Sequence, residues 1–598
     1  MKLSNLKRTI GVAILATLGA CGGGADQTTQ SGGKSVTMSE VQTSEAAGTS
    51  TTTGALNTLT GAVKRMILGG TAAASGPMSQ EEASRFLQQA SFGPTMASIQ
   101  EVSSTGAEAW IDKQFTLPQA LHRNYMEWVQ SRLPAGTTLN RTQFLESFWR
   151  QAASGEDQLR QRMAFALSQI FVVSMSDSEV GGMPRGAAGY YDLMGMQCFT
   201  NFRTLLAVVA RNPIMGTYLS HIHNQKESGY RVPDENFARE IMQLMTIGLY
   251  QLNQDGSLKT NNGAPIETYT HDDVAGLAKV FTGFSFYGPD TSAARFWGDV
   301  KDVDYDWRPM QSYAAYHSTS TKKFLGVTIS GNTSADADFN VAIDTLFNHP
   351  NVGPFIGRQL IQRLVTSNPS PAYISRVAAV FANNGSGVRG DMKALIKAVL
   401  LDPEARQPAT SGHGKLREPV LRLAHWMRSF DAHSYSGRYL MYALDDPLKG
   451  IAQTPMRSPS VFNFFRPAYV PPNTAIADAG LVAPEMQITA EPSVAGYLNF
   501  MVDAIPWGVG TNRDIKPTYV NEIPLATTPD LLVDRINLLM MAGSMSSTLR
   551  NQIISAVNTV ARPLPTSTNA STLATIDRNR VSLAIFLTMA SPEYLIQK

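Results

Sequence analysis

The sequence predicts a mainly α protein: a large multi-helix globular domain with a small β-hairpin excursion and an irregular segment rich in Pro and Asn. Two observations carry the prediction. Apolar residues recur at helical spacing along most of the chain, and strand-like alternation is scarce, with no internal repeat of solenoid length. Composition bounds it further. The 598 residues are 43% hydrophobic with 47 Gly and 32 Pro, which supplies a large core and excludes collagen-like, mucin-like and wholly disordered chains. Fifty Lys and Arg against 48 Asp and Glu give a formal charge of +2 without long basic runs, so no nucleic-acid partner is expected.

Taken in order, residues 1–20 place Lys2, Lys7 and Arg8 before an apolar run and then small residues, the pattern of an export signal. The run is about half the ~20 residues a membrane-spanning helix needs. Leu18-Gly19-Ala20-Cys21 resembles the lipobox of bacterial lipoproteins, in which the chain is cut before Cys and acylated with chains such as palmitate. The competing reading is an ordinary signal peptide with a chance Cys. Two acyl chains would anchor Cys21 stably to a membrane. Gly22 rather than Asp after it points to the outer membrane, with the protein facing periplasm or cell surface.

Residues 21–77 read as a lipidated flexible tether of Gly, Ser, Thr, Gln and Ala, with no aromatic before Phe86. Within it Leu56, Leu59, Val63, Met66 and Ile67 mark a short amphipathic helix suited to the membrane surface or to the main domain. Cys198 would be the only free thiol after acylation, so no intrachain disulfide is expected, and a buried small hydrophobe is favoured over a nucleophile.

The main helical domain is expected over 78–500. Ser79 with Glu82 forms a capping box, Ala83, Phe86, Leu87 and Ala90 mark one helix face, and Gly93-Pro94 stops it. Further helices are predicted at 160–173, 202–210, 237–249, 274–281, 341–347, 355–365, 373–381, 392–401 and 420–430. Asp255-Gly256 and Asn262-Gly263 are turn dipeptides, and 324–329 is the best single strand. From 447 to 492 the chain is expected to be ordered but irregular. Residues 501–598 form a C-terminal helical subdomain, with helices at 531–541 and 549–560.

The densest polar segment is 233–240. Asp234 is a candidate N-cap, Glu235 and Arg239 are i,i+4 partners, and Asn236, Glu240 and Gln243 line an adjoining face. Facing a cleft, Glu240 would serve as base or ligand; otherwise the segment is an ion-pair and hydrogen-bond frame, the favoured reading. His221 and His223, two residues apart in a helical pattern, diverge and make a weak metal pair. Thr270 with Asp273 reads as a helix cap rather than a His271-carboxylate cluster. Residues 251–262 lack the carboxylates of a calcium loop. Arg466, among the aromatics of 457–467, either presents a binding surface or sits on a loop fixed to the core by its three Phe. No nucleophile elbow, Walker loop, dinucleotide fingerprint, His-Glu-x-x-His helix or Cys-x-x-Cys pair occurs, so neither cofactor nor metal is expected.

The run Asp234-Glu235-Asn236-Phe237-Ala238-Arg239-Glu240 resembles a signature of the bacterial domain of unknown function numbered eighteen hundred. So do Tyr269-Thr270 with Asp273-Val274, Thr282-Gly283, His317 with Lys322 and Leu325-Gly326, and His349-Pro350 before Phe355-Ile356. The resemblance spans about residues 80–500, and Ser591-Pro592-Glu593-Tyr594 is similar to the ending of larger exported members. Many members carry Glu at the place of Gln243 and His at the place of Met245; a site built on that pair would be degraded here. The resemblance implies a sulfatase-like exported partner at the envelope and no agreed activity. The expected function is therefore an outer-membrane-anchored accessory lipoprotein in processing, export or assembly of an extracellular polymer. The alternative is a cell-surface hydrolase or transferase using Glu235, Glu240, Asp273 and His317, with Asp234, Asn236, Arg239, Tyr269, Lys322 and Arg466 in structural or binding roles.

Overall fold

Capping chemistry fixes where the helices begin. The Ser79 hydroxyl accepts from the Glu82 N–H while the Glu82 carboxylate accepts from the Ser79 N–H, opening α1 (Gln80–Ala90), whose Ala83, Phe86, Leu87 and Ala90 are buried. Such a cap contributes about 1 kcal/mol. The computed structural model describes residues 76–407 and 412–598. The segment 1–75, with the expected signal, Cys21 and nearly all of the tether and its short helix, lies outside the described residues. Among those described, 25 α-helices accompany five two-stranded antiparallel sheets, so the protein is mainly helical. None of these helices is long and apolar enough to cross a membrane.

An aromatic core sits where α2 (Arg141–Ser154), α3 (Gln158–Ser168) and α4 (Pro184–Gln197) meet. Phe148 lies 6.0 Å from both Phe165 and Tyr191, and Phe144 lies 5.4 Å from Tyr191, within the range of favourable edge-on packing. The predicted helix at 160–173 ends at Ser168, although Ile170, Phe171, Val172 and Val173 are all buried. An apolar run continues through non-helical core there, and periodicity does not distinguish the two. Cys198, one residue past α4, is buried and unpaired, and burial pushes its thiol up to about 12.

Next come α5 (Phe202–Ala210), matching its expected bounds, and α6 (Asn236–Gln243). The helix expected over 237–249 stops at Gln243. Ile247 and Gly248 N–H both turn back to the Met242 carbonyl, and Gly248, at φ +71, leaves room for the Phe355 ring, which a Cβ would approach to 2.8 Å. Asn262 and Gly263, both at positive φ, turn the hairpin of β1 (Thr260–Asn261) and β2 (Ala264–Pro265). Thr270 and Asp273 cap α7 (His271–Val280) reciprocally.

The single strand expected at 324–329 is instead a hairpin. β3 (Lys322–Phe324) pairs antiparallel with β4 (Val327–Ile329) around Leu325 and Gly326, at φ +48 and +78. A two-residue turn with positive φ at both positions matches the twist of its strands, so the apolar run folds back on itself.

The chain continues through α8 (Ala335–Asn348), α9 (Val352–Leu364), α10 (Pro371–Ala382) and α11 (Met392–Leu400), consecutive helices packed on one another. After β5 (Lys415–Leu416) comes α12 (Pro419–Ser429), buried along its whole length. The 447–492 stretch is irregular as expected, relieved by a short helix at Ala475–Asp478 and a 3-10 turn at Pro484–Ile488. Its three Phe do not all reach the core. Phe465 is buried, Phe464 half-buried, and Phe462 is exposed with the Arg466 guanidinium 4.9 Å over its ring.

Five α-helices complete the fold: α13 (Glu491–Trp507), α14 (Pro529–Met541), α15 (Ser547–Thr559), α16 (Ala570–Ala590) and a short one at Pro592–Leu595. The first three pack on α16, and α14 also packs on α1 and α12. The final strand, β6 (Ile596–Gln597), pairs with β5.

Candidate functional site

Asp234 holds the approach to α6. Its backbone exchanges two hydrogen bonds with the Asn224 amide, at 2.9 and 3.1 Å, while its carboxylate accepts from the Asn236 N–H at 2.8 Å and the Ser220 hydroxyl at 3.2 Å. The Asn236 amide in turn reaches the Ser220 hydroxyl at 3.4 Å. One turn on, Arg239 donates to Glu235 at 2.9 Å, with the exposed His271 ring 3.7 Å from the same oxygen. This frame is the one the i,i+4 spacing predicts, yet it lies at the surface, with the Arg239 side chain 40% exposed.

Glu240 stands outside the frame. The residue is only 8% exposed, its Oε2 is buried without a partner, and no donor reaches its carboxylate among the described residues. Burial pushes its carboxyl up, against the smaller opposing effect of the Arg239 charge. Tyr269 approaches from the loop before α7 and donates to Gln243 at 3.2 Å, and burial raises its phenol. Glu240, Gln243, Arg239 and Tyr269 thus share one patch where α6 meets the start of α7.

Asp273 and His317 are engaged by other partners. Asp273 Oδ2 accepts from the Thr270 N–H and hydroxyl, both at 2.8 Å, and Oδ1 accepts from the Leu325 N–H at 2.7 Å, pinning the hairpin turn to α7. Burial would raise its carboxyl, but those donors outweigh it and hold it down. Beneath the hairpin, His317 Nδ1 meets the Thr282 carbonyl at 2.8 Å and Nε2 meets Asp338 Oδ2 at 2.9 Å. The same oxygen takes the Lys322 ammonium at 2.7 Å, and Lys322 also donates to the Ser318 carbonyl at 2.8 Å. Lys322, Asp338 and His317 are 0%, 1% and 3% exposed. Burial works against the Asp338 carboxylate, and hydrogen bonds led by Lys322 hold it low.

The four catalytic candidates therefore have different partners. Glu235, rather than the expected Asp234, is the N-cap residue of α6 and Glu240 lies within the helix; Asp273 and His317 serve the hairpin, with every polar atom on a structural partner. A general base needs a lone pair free to take a proton, and both nitrogens of His317 already face acceptors. Arg466 has no bond to either group. His221 and His223 are in a loop, not a helix. His221 stacks on Phe237 at 3.8 Å, and burial pushes it to about 4. Among the described residues no group of three or more His, Cys, Asp or Glu is placed to hold a metal.

Sequence reasoning missed Asp338, the anion of the buried clamp. It also missed Glu227, which accepts from the Ser318 hydroxyl at 3.0 Å beside that clamp. Asp338 offered one local signal, a charge between Ala335 and Phe339 on the apolar face of its helix; Glu227, in a polar stretch, offered none.

The chain belongs to the family described as protein of unknown function (DUF1800), whose model matches residues 85–596. The match takes in α6, the hairpin clamp and the C-terminal helices, beyond the limit near residue 500 to which the sequence signatures extend. No curated protein and no solved structure matches the chain.

Proposed function

We propose that the protein is a noncatalytic accessory lipoprotein of the outer membrane, tethered through Cys21, that serves the processing, export or assembly of an extracellular polymer beside a sulfatase-like exported partner. The observation that supports the noncatalytic part is the use of Asp273 and His317 as joints. Their polar atoms bind the hairpin and its neighbours. The address rests on the sequence, in which Cys21 follows Leu18-Gly19-Ala20.

One observation favours the second reading, a hydrolase or transferase. Glu240 is a buried carboxylate without a donor, and burial raises its pKa, as suits a group that exchanges protons. The charge that acts on it is that of Arg239, and the Tyr269 phenol shares its patch.

Complementation of a deletion strain tests both readings. For an accessory protein Glu240→Gln restores polymer output fully, while Cys21→Ser abolishes detergent partitioning and lowers output. A stable but inactive Glu240→Gln chain would select the enzyme reading. Partitioning unchanged by Cys21→Ser would end the lipoprotein claim.

A further inference from the structure

Far from α6 in sequence, a cleft of about 260 Å³ opens among α1, the end of α14 and the β5–β6 pair. Arg85, Gln88, Arg417, Ser544, Glu593 and Lys598 line it. The volume approaches the lower end of small-ligand pockets, roughly 300–1,000 Å³.

Its charges are unbalanced. Arg417 is 5% exposed, yet its Nε donates to the Tyr594 carbonyl at 2.7 Å and its Nη2 to the Gln88 amide oxygen at 2.8 Å, both neutral acceptors. Its Nη1 has no acceptor among the described residues. Arg85 donates to the Arg406 carbonyl, and its Nε is buried without a partner. Neither guanidinium has an ion-pair partner among the described residues. Glu593, the one acidic side chain on the wall, is already engaged by the Ser546 N–H at 2.8 Å and hydroxyl at 2.6 Å. The Tyr594 ring, 5.1 Å from the Arg417 guanidinium, offsets part of one charge, and Arg422 adds another of the same sign. Burying cations without a counter-charge is costly, and a charge-assisted hydrogen bond from a guanidinium nitrogen to an oxyanion offsets that cost.

We infer that this cleft binds a small oxyanion, a carboxylate, sulfate or phosphate group, seated between Arg85 and the free nitrogen of Arg417. The anion supplies a counter-charge to two guanidinium groups that no carboxylate pairs among the described residues, and Lys598 also lines the cleft. A free inorganic ion and the acid group of a sugar share this chemistry. The inference stands apart from the accessory reading, because binding requires neither membrane nor polymer.

The test is calorimetric titration of the purified chain with sulfate, glucuronate and, as the neutral control, glucose, at constant ionic strength. One saturable site for sulfate or glucuronate and none for glucose is expected. Binding of sulfate alone identifies a free inorganic ion, whereas binding of glucuronate identifies an acid sugar. Arg85→Gln, nearer the surface than Arg417 and so safer for folding, should weaken binding about 10- to 100-fold, the effect of one charge-assisted hydrogen bond. Arg203→Gln, whose ion pair with Asp344 lies elsewhere, should leave it unchanged. No saturable binding of either anion up to about 10 mM, equal binding of glucose, or full binding by Arg85→Gln would overturn the assignment.

Discussion

A carboxylate buried without a donor is disfavoured in its charged form, and Glu240 is in that position. Because burial raises its folded pKa above the unfolded value near 4.5, the folded state holds the proton across a window in which the unfolded state has released it. Stability therefore falls as pH rises through that window, and the penalty is fully present above it. Glu240→Gln removes the penalty, so the variant should melt at or above the wild-type temperature at pH 7.5, with the advantage vanishing near pH 4. A lower melting temperature at neutral pH would show that the carboxylate is paired after all. Arg239→Ala behaves differently. Its pair with Glu235 is partly exposed on both sides, so the loss should be at most about 1 kcal/mol, far below the cost of breaking a buried pair. A loss of several kcal/mol in denaturant titration would put Arg239 in a buried network that its exposure contradicts. The Glu235–Arg239 pair was legible in the sequence because it is local; that Glu240 would be buried without a donor was not, since that depends on which neighbours pack over it.

Elements meet here by backbone approach as much as by side-chain packing. α7 lies so close to β3 that a Cβ at Gly276 would stand 1.7 Å from the Lys323 carbonyl oxygen. In an exposed helix interior Gly→Ala gains about 1 kcal/mol. Gly276→Ala should reverse that sign and destabilise by at least about 1–3 kcal/mol, the usual cost of overpacking. The helix must lift off the hairpin, straining the Asp273–Leu325 bond and the Lys322–Asp338–His317 clamp below. Chemical denaturation of Gly276→Ala reads this directly, and a stabilised variant would refute the close approach. Elements of this kind were partly legible. The Thr270–Asp273 cap, the Asn262-Gly263 turn and the 202–210 helix follow from neighbours in the chain. The Leu325-Gly326 turn did not, because Leu at positive φ is an unfavourable choice imposed by the packing of β3 on α7. Least legible was the Arg417 cleft, where Gln88 and Arg417 meet across 329 residues of chain.

At the scale of the whole molecule, the helical core encloses imidazoles that are neutral when folded. His122, His221 and His425 are 0%, 1% and 3% exposed, and burial pushes them to about 4, 4 and 3, well below the ordinary value near 6.5. Half-buried His223 is likewise lowered to about 4, by burial and then by the Lys301 charge. With the folded pKa depressed, the unfolded chain binds protons below pH 6.5 that the folded chain refuses, so stability is lost as pH falls from 6.5 toward 4. Asp192 opposes this. Burial raises it to about 7, so the folded state keeps a proton there that the unfolded state releases, and acidification relieves that strain. Asp157, Glu240 and Glu485 are also raised by burial and side with it. All four imidazole gaps span the same window from 6.5 down, so we expect the imidazoles to prevail. Each proton of imbalance changes stability by about 1.4 kcal/mol per pH unit. The melting temperature should therefore fall between pH 7 and pH 5 in scanning calorimetry, and Asp192→Asn, lacking the opposing carboxyl, should fall more steeply than the wild type. A melting temperature that holds or rises on acidification would mean that the buried carboxyls, not the histidines, set the acid response of this fold.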